Sequence, residues 1–172
     1  MTEAQIKKNV DDVFKETDLL SIPVEIVAMV SFYGFSVYGL DMDDDISGMI
    51  IVNDEPIKSY GTNKLIIVNS NHSSTRKRFT IAHELGHYIL QGRPQKCYSH
   101  RESSGVYNPE ERDANSFASA LLMPEEDVRR FVKSISQRNP LPLDFTLIFN
   151  VAKRYNVSES SAEVRLKKLG II

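Results

Sequence analysis

The stretch RFTIAHELGHYIL, residues 78–90, limits what this chain can be more than any other segment does. His83 and His87 stand four residues apart, and Glu84 directly follows the first. On a helix, residues i and i+4 share a face, with β-carbons about 6 Å apart. Two imidazoles at that spacing can converge on one tetrahedral ion. At about 3.6 residues per turn, Glu84 is turned about 100° from His83 and about 60° from His87. It sits beside such an ion without being forced to ligate it. Phe79, Ile81, Ala82, Leu85, Tyr88 and Ile89 cover the rest of the wheel. The helix is therefore expected to be largely buried, with Thr80, His83, Glu84 and His87 as its polar face. Gly86 leaves room for another element to approach closely.

A core helix that merely happened to carry two hydrogen-bonded histidines would bury two imidazoles and a carboxylate together. Burying a charge without a partner is costly. A metal ion accounts for all three residues and brings a mechanism with them. A bound divalent ion lowers the pKa of water from about 15.7 toward about 7 and polarises a carbonyl. Glu84 is placed to take the proton of the attacking water and pass it to the leaving amine. That is peptide-bond hydrolysis without a covalent intermediate. The alternative is a metal-stabilised binding protein that sequesters a regulator without cutting it. Such a scaffold needs ligands but no general base, so the glutamate of HELGH favours the enzyme.

A catalytic zinc takes three protein ligands and keeps one position open. Downstream candidates for the third are Cys97, His100, Glu102, Glu110 and Glu111. Asn108-Pro109 reads as an N-cap followed by proline at the first helical position, opening a helix that Met123-Pro124 closes. On it Glu111, Ala114, Asn115, Ala118 and Leu122 share a face. A glutamate in an apolar stripe needs a partner. Glu111 could instead cap the helix reciprocally, and the wheel alone leaves Glu110 open. Asn115, one turn on, favours Glu111, because it is placed to hydrogen-bond a ligand histidine.

These two stretches, RFTIAHELGHYIL and ERDANSFASALLMP, resemble the ImmA/IrrE family of zinc metallo-endopeptidases. KLIIVNS upstream and FNVAKRYNVSESSAEVRLKKLG downstream extend the resemblance over about Ser21 to Gly170. The resemblance implies a zincin-like fold with HExxH on a central helix. It implies a third ligand from a Glu-x-x-Ala-Asn-x-Phe-Ala pattern, here Glu111 with Ala114, Asn115, Phe117 and Ala118 in register. It also implies a protein substrate, a repressor of the helix-turn-helix type, cut to relieve repression in a mobile element or stress response.

The remaining chain sets the architecture. Thr2–Leu19 reads as a polar amphipathic helix. Ser21 and Pro23 open a second, with Val24, Val27 and Val30 on one face and Gly34 as its stop. FSVYGL, GMIIVN and KLIIVN are short β-branched runs, read as a mostly antiparallel, hairpin-connected sheet of about three strands. Residues 93–108 read as a long polar loop, and PEEDVRRFVKSI as a helix. Leu143–Tyr155 and Ser158–Leu169 form a helix pair around Asn156-Val157. The fold class is α+β with a helical C-terminal half. One metallopeptidase domain is expected over 1–172, with an N-terminal helix over 1–20, a catalytic core over 21–125 and the helix pair over 143–170.

Composition narrows the setting. Hydrophobic residues make up 41% and charged residues 26% of 172 residues, which fits a globular chain and not a disordered one. The net charge of −2, with only a slight basic excess on the C-terminal pair, argues against a nucleic-acid reader. Cys97 is the sole cysteine, which fits a reducing cytoplasm. Its thiolate is a candidate to occupy the open metal position. The N-terminal stretch has no signal-peptide core. The longest uncharged run, Ile26 to Leu40, is too short for a bilayer, so no membrane role is expected. His100, Tyr98 and Tyr107 could line a cleft, and His72 reads as an exposed loop histidine.

Overall fold

Helix α1 (Glu3–Thr17) starts where Thr2 and Gln5 cap each other's backbone in a capping box. Its stripe of Ile6, Val10, Val13 and Phe14 is buried. Lys7–Asp11 and Lys8–Asp12 pairs lie along the outside. Helix α2 (Ile26–Phe32) is shorter than its sequence pattern suggests. Val24 is buried ahead of the helix, and Val27 is exposed rather than on the core face. The computed structural model describes residues 1–94, 97–100, 108–138 and 144–172, the stretch 97–100 by its backbone.

Strands β1 (Ser36–Leu40), β2 (Gly48–Ile57) and β3 (Thr62–Asn69) fall on the three β-branched runs. Helix α3 (Ser74–Leu90) follows. Strand β4 (Cys97–His100) joins the far side of the sheet, whose order is β1-β3-β2-β4. The sheet is mixed: β2 pairs antiparallel with β3 and β4, and β1 runs parallel to β3. Two expectations change here. The described sheet has a fourth strand inside the stretch read as a loop, and β1 is not hairpin-connected to its neighbour. CYSH carries no apolar alternation to announce a strand. Its extended state comes from pairing with the edge of β2, from Met49↔His100 to Val52↔Cys97.

Helices α4 (Pro109–Leu122), α5 (Glu125–Arg138), α6 (Asp144–Tyr155) and α7 (Glu159–Lys168) complete the order. The chain is α+β, with its C-terminal half helical as expected. Asn108 caps α4 by accepting from the Glu110 backbone N–H at 2.9 Å. Asn156, at φ 52°, makes the tight corner between α6 and α7. Arg78 of α3 ties that corner to the core by donating to Asn156 O at 3.2 Å and Val24 O at 2.9 Å. Among the basic residues of the pair, Arg154 binds Asp127, Lys167 binds Glu163, Lys168 binds Glu3, and Arg165 is buried. Those side chains are engaged within the protein. No helix among the described residues is long and apolar enough to cross a membrane.

The core runs between the sheet and α3, and on to α4. Ile50, Val52, Ile66 and Val68 meet Ile81, Ala82, Leu85 and Ile89, which meet Phe117, Ala118, Leu121 and Leu122 in one cluster. Two glycines set how closely the layers approach. A β-carbon on Gly48 would lie 2.5 Å from both Ile67 O and Thr80 Cγ2. Strand β2 and helix α3 therefore touch through bare backbone. A β-carbon on Gly86 would lie 3.0 Å from Phe117 Cδ1 and 3.2 Å from Ala114 O. The gap left by Gly86 is what brings α4 against the histidine face of α3.

Candidate metal centre

Ten consecutive residues of α3, from Thr80 to Ile89, are buried. His83, Glu84 and His87 are 3%, 2% and 5% exposed. The apolar residues of the helix bury it on all sides and carry the polar face inside with them. Across the Gly86 gap, the first turn of α4 places Glu111 against both rings. Its Oε2 lies 3.1 Å from His83 Nε2, and its Oε1 lies 3.0 Å from His87 Nε2. The two Nε2 atoms are themselves 3.0 Å apart. The three side chains form a group whose ligand atoms lie within 4.8 Å of one another. Glu111 is 31% exposed, so the group is open to solvent on its α4 side.

Asn115 is one turn further along α4, and its Oδ1 is 3.0 Å from His83 Nδ1. A carboxamide oxygen only accepts, so Nδ1 carries the proton and donates. In the neutral ring, Nε2 then presents a lone pair. That lone pair faces the carboxylate of Glu111 and the Nε2 of His87. Acceptors converging at about 3 Å repel unless a proton or a metal cation lies among them. Ligands 2.0–2.1 Å from a tetrahedral ion stand about 3.3 Å from one another, close to the three separations found. Two imidazoles and a carboxylate therefore fit a divalent metal.

Of the two described candidates for the third position, Glu111 faces the histidines and Glu110 is exposed to solvent. Cys97, Tyr98 and His100 contribute backbone to β4, and their side chains lie outside the described residues, as do Glu102 and Tyr107. His72 sits half-buried in the turn before α3, with Nε2 3.2 Å from Asp44 O. It is less exposed than a loop histidine was expected to be. The sequence reading did not single out Lys64, which donates to Tyr88 Oη at 2.9 Å and to Tyr33 O at 3.0 Å. A lysine at the start of a β-branched run could have marked it. Tyr88 follows His87, so Lys64 steadies the C-terminal turn of the histidine helix.

A buried helix bearing HELGH and a carboxylate from the next long helix is the arrangement of a metallopeptidase domain. Residues 40–167 match the IrrE N-terminal-like domain, Peptidase_M78, and the chain belongs to that family. It is 32% identical over 101 residues to the radiation response metalloprotease IrrE of Deinococcus radiodurans, covering 57% of this chain and 29% of that protein. It is 33% identical over 69 residues to the uncharacterized immunity region protein 2 of Bacillus phage phi105, covering 40% of this chain and 44% of that protein. The chain thus matches less than half the length of either relative.

Proposed function

We propose that this chain is a cytoplasmic, zinc-dependent endopeptidase that cuts one protein partner at one or a few bonds. The expected partner is a helix-turn-helix repressor. The observation that carries the reading is the convergence of His83, His87 and Glu111 beside the buried carboxylate of Glu84. His83, His87 and Glu111 would hold the metal, and Asn115 would fix the His83 ring by accepting a hydrogen bond from its Nδ1–H. When bound, zinc supplies Lewis acidity to a carbonyl and to water. Other divalent ions would also fit this donor set. Glu84 takes the proton of the attacking water on its carboxylate and hands it to the leaving amine nitrogen. Burial excludes competing water and strengthens this transfer.

A repressor as substrate is supported by the resemblance to a phage immunity-region protein. Backbone groups at the β4 edge of the described sheet suit an extended substrate segment, by strand addition. The C-terminal helix pair offers exposed Phe145, Phe149 and Val164 to a folded partner. Specificity would then come from docking outside the reacting centre.

The test is incubation of zinc-loaded protein with casein and, separately, with the product of the adjacent regulator gene. Cleavage of the regulator, with casein left whole, is expected. Glu84→Gln should keep the metal and lose cleavage by at least about 100-fold, the contribution of general acid–base catalysis. Efficient casein digestion with an intact regulator would sink the proposal. Regulator binding without cleavage, unchanged by Glu84→Gln, would point to sequestration.

A further inference from the structure

At the end of α4 remote from Glu111, helices α1, α5 and α7 border a groove of about 680 Å³. That size falls within the roughly 300–1,000 Å³ range of small-molecule sites. Ile6, Val10 and Phe14 of α1, with Ile22 and Leu169, give it apolar walls. Arg165 also lines it and is only 5% exposed.

Arg165 is an unusual residue to bury. Its Nε donates to Met123 O at 3.1 Å, closing the C-terminal end of α4. That contact uses one of the five N–H groups of a guanidinium. Among the described residues no carboxylate lies within 4.0 Å of it. The neighbouring acids are committed elsewhere: Glu125 to Arg129 at 2.8 Å, Glu3 to Lys168 at 2.8 Å. Burial pushes the Arg165 pKa below its ordinary value, the cost of a desolvated cation that distant Glu125 and Glu3 only partly offset. Buried arginines are ordinarily paired. A helix cap explains why an N–H donor is here. It does not explain a whole guanidinium facing an apolar groove.

On the rim Glu3, Asp11, Glu125, Glu126 and Asp127 are matched by Lys7, Lys15, Arg129, Arg130 and Lys168. Most of them pair with one another, which leaves Arg165 as the cation facing the groove. A single carboxylate meets a guanidinium with two parallel hydrogen bonds. The apolar walls suit a hydrocarbon body behind that head. We propose that this groove binds a small monocarboxylate amphiphile, its head on Arg165 and its apolar body along the Ile6–Val10–Phe14 face of α1. The site is separate from the metal centre and does not depend on the peptidase reading.

The experiment is calorimetric titration of the full chain with dodecanoate, below its micelle concentration, beside dodecanol, dodecyltrimethylammonium and inorganic phosphate. Saturable binding of one dodecanoate per chain is expected, with the alcohol and the cation weaker by at least about 10-fold. Charge-assisted hydrogen bonds to the head set that margin. Arg165→Gln should weaken dodecanoate by about 10- to 100-fold. Should that variant fold poorly, Ala4→Trp fills the groove from its exposed rim and should abolish binding while leaving the core untouched. Equal affinity for acid and alcohol, several weak sites per chain, or binding unaffected by Ala4→Trp would overturn the proposal. So would displacement of dodecanoate by phosphate. Selective binding of a peptide ending in a free carboxylate, without dodecanoate binding, would assign the groove to a protein partner instead.

Discussion

At the start of α4, Glu111 meets two imidazoles whose ligand nitrogens lie 3.0 Å apart. Just past its other end, Asp127 on α5 accepts from Tyr155 Oη at 2.6 Å and from Arg154 Nη2 at 2.9 Å. Both places draw a carboxylate into the protein. At Asp127 the balancing cation is an arginine of the same chain, so the local charge is closed without outside help. At Glu111 the facing groups are imidazoles, one oriented by Asn115 with its Nε2 toward the carboxylate. The donor set at that end fits a divalent cation from solution. The contrast separates an ion pair closed within the chain from a donor set that could hold a metal, using partner type and geometry rather than burial alone.

The largest expected effect tests that contrast directly. Zinc at about 100 times its dissociation constant should stabilise the wild-type fold by about 2.7 kcal/mol. Glu111→Ala or His87→Ala should remove that gain, while Glu110→Ala should keep it. Calorimetric melting with zinc and with chelator measures it. A wild-type melt indifferent to zinc would collapse the distinction between the two ends. Next comes Asn115→Ala, which frees the His83 ring. Metal affinity should fall roughly 10- to 100-fold, as losses behind a ligand histidine do. Competition with a chromophoric chelator reads this, and an unchanged affinity would show that the ring is held by packing alone.

A smaller effect is expected from Gly86→Ala. The new methyl would sit 3.0 Å from Phe117 Cδ1 and 3.2 Å from Ala114 O, both on fully buried residues. The helices must part by a few tenths of an ångström. Overpacking of this kind costs about 1–3 kcal/mol, measured by urea unfolding of the metal-free protein. Zinc affinity should weaken along with stability, because parting α3 from α4 draws Glu111 away from the rings. Lost stability with unchanged zinc affinity would show that the seam and the metal site are uncoupled.

How much of this was legible from sequence follows the same division. His83, Glu84 and His87 are set by helical periodicity within one continuous segment, and periodicity is what a sequence displays; at Glu111 the wheel left Glu110 open, and the choice came from Asn115 and the family pattern. Asn115 could be named because it lies one turn from Glu111. Gly86 could be named as a place of close approach, although its partner Phe117 could not. Lys64 was missed, and Arg165 was read only as one of the basic residues of the C-terminal helix pair, for a physical reason: the surroundings of each depend on elements far away in the chain. Strand β4 was missed because its pairing with β2, and not its own composition, makes it a strand. The parallel placement of β1 beside β3 is likewise a property of the assembled sheet, since adjacent runs with turn-forming residues between them read naturally as hairpins.

The smallest expected effect lies at the self-contained end. Burial favours the neutral form of Asp127, but hydrogen bonds from Tyr155 and Arg154 outweigh it and hold the carboxyl below its ordinary value of 3.8. A depressed folded-state pKa contributes stability that is present above the unfolded value. It is lost as pH falls through the folded one. The acid limb of stability, below about pH 4, should therefore flatten in Asp127→Ala. At neutral pH the same change strands the hydroxyl of Tyr155, a residue with no exposed surface. Leaving a buried polar group unsatisfied costs about 1–3 kcal/mol, at the lower end here because Arg154 is partly exposed and can turn to solvent. Urea unfolding of both proteins between pH 3 and pH 7 checks the two effects together. The zinc-induced gain should be the same in this variant as in the wild type. A reduced gain would mean that α4 transmits strain from one end to the other, and that the two ends are not independent.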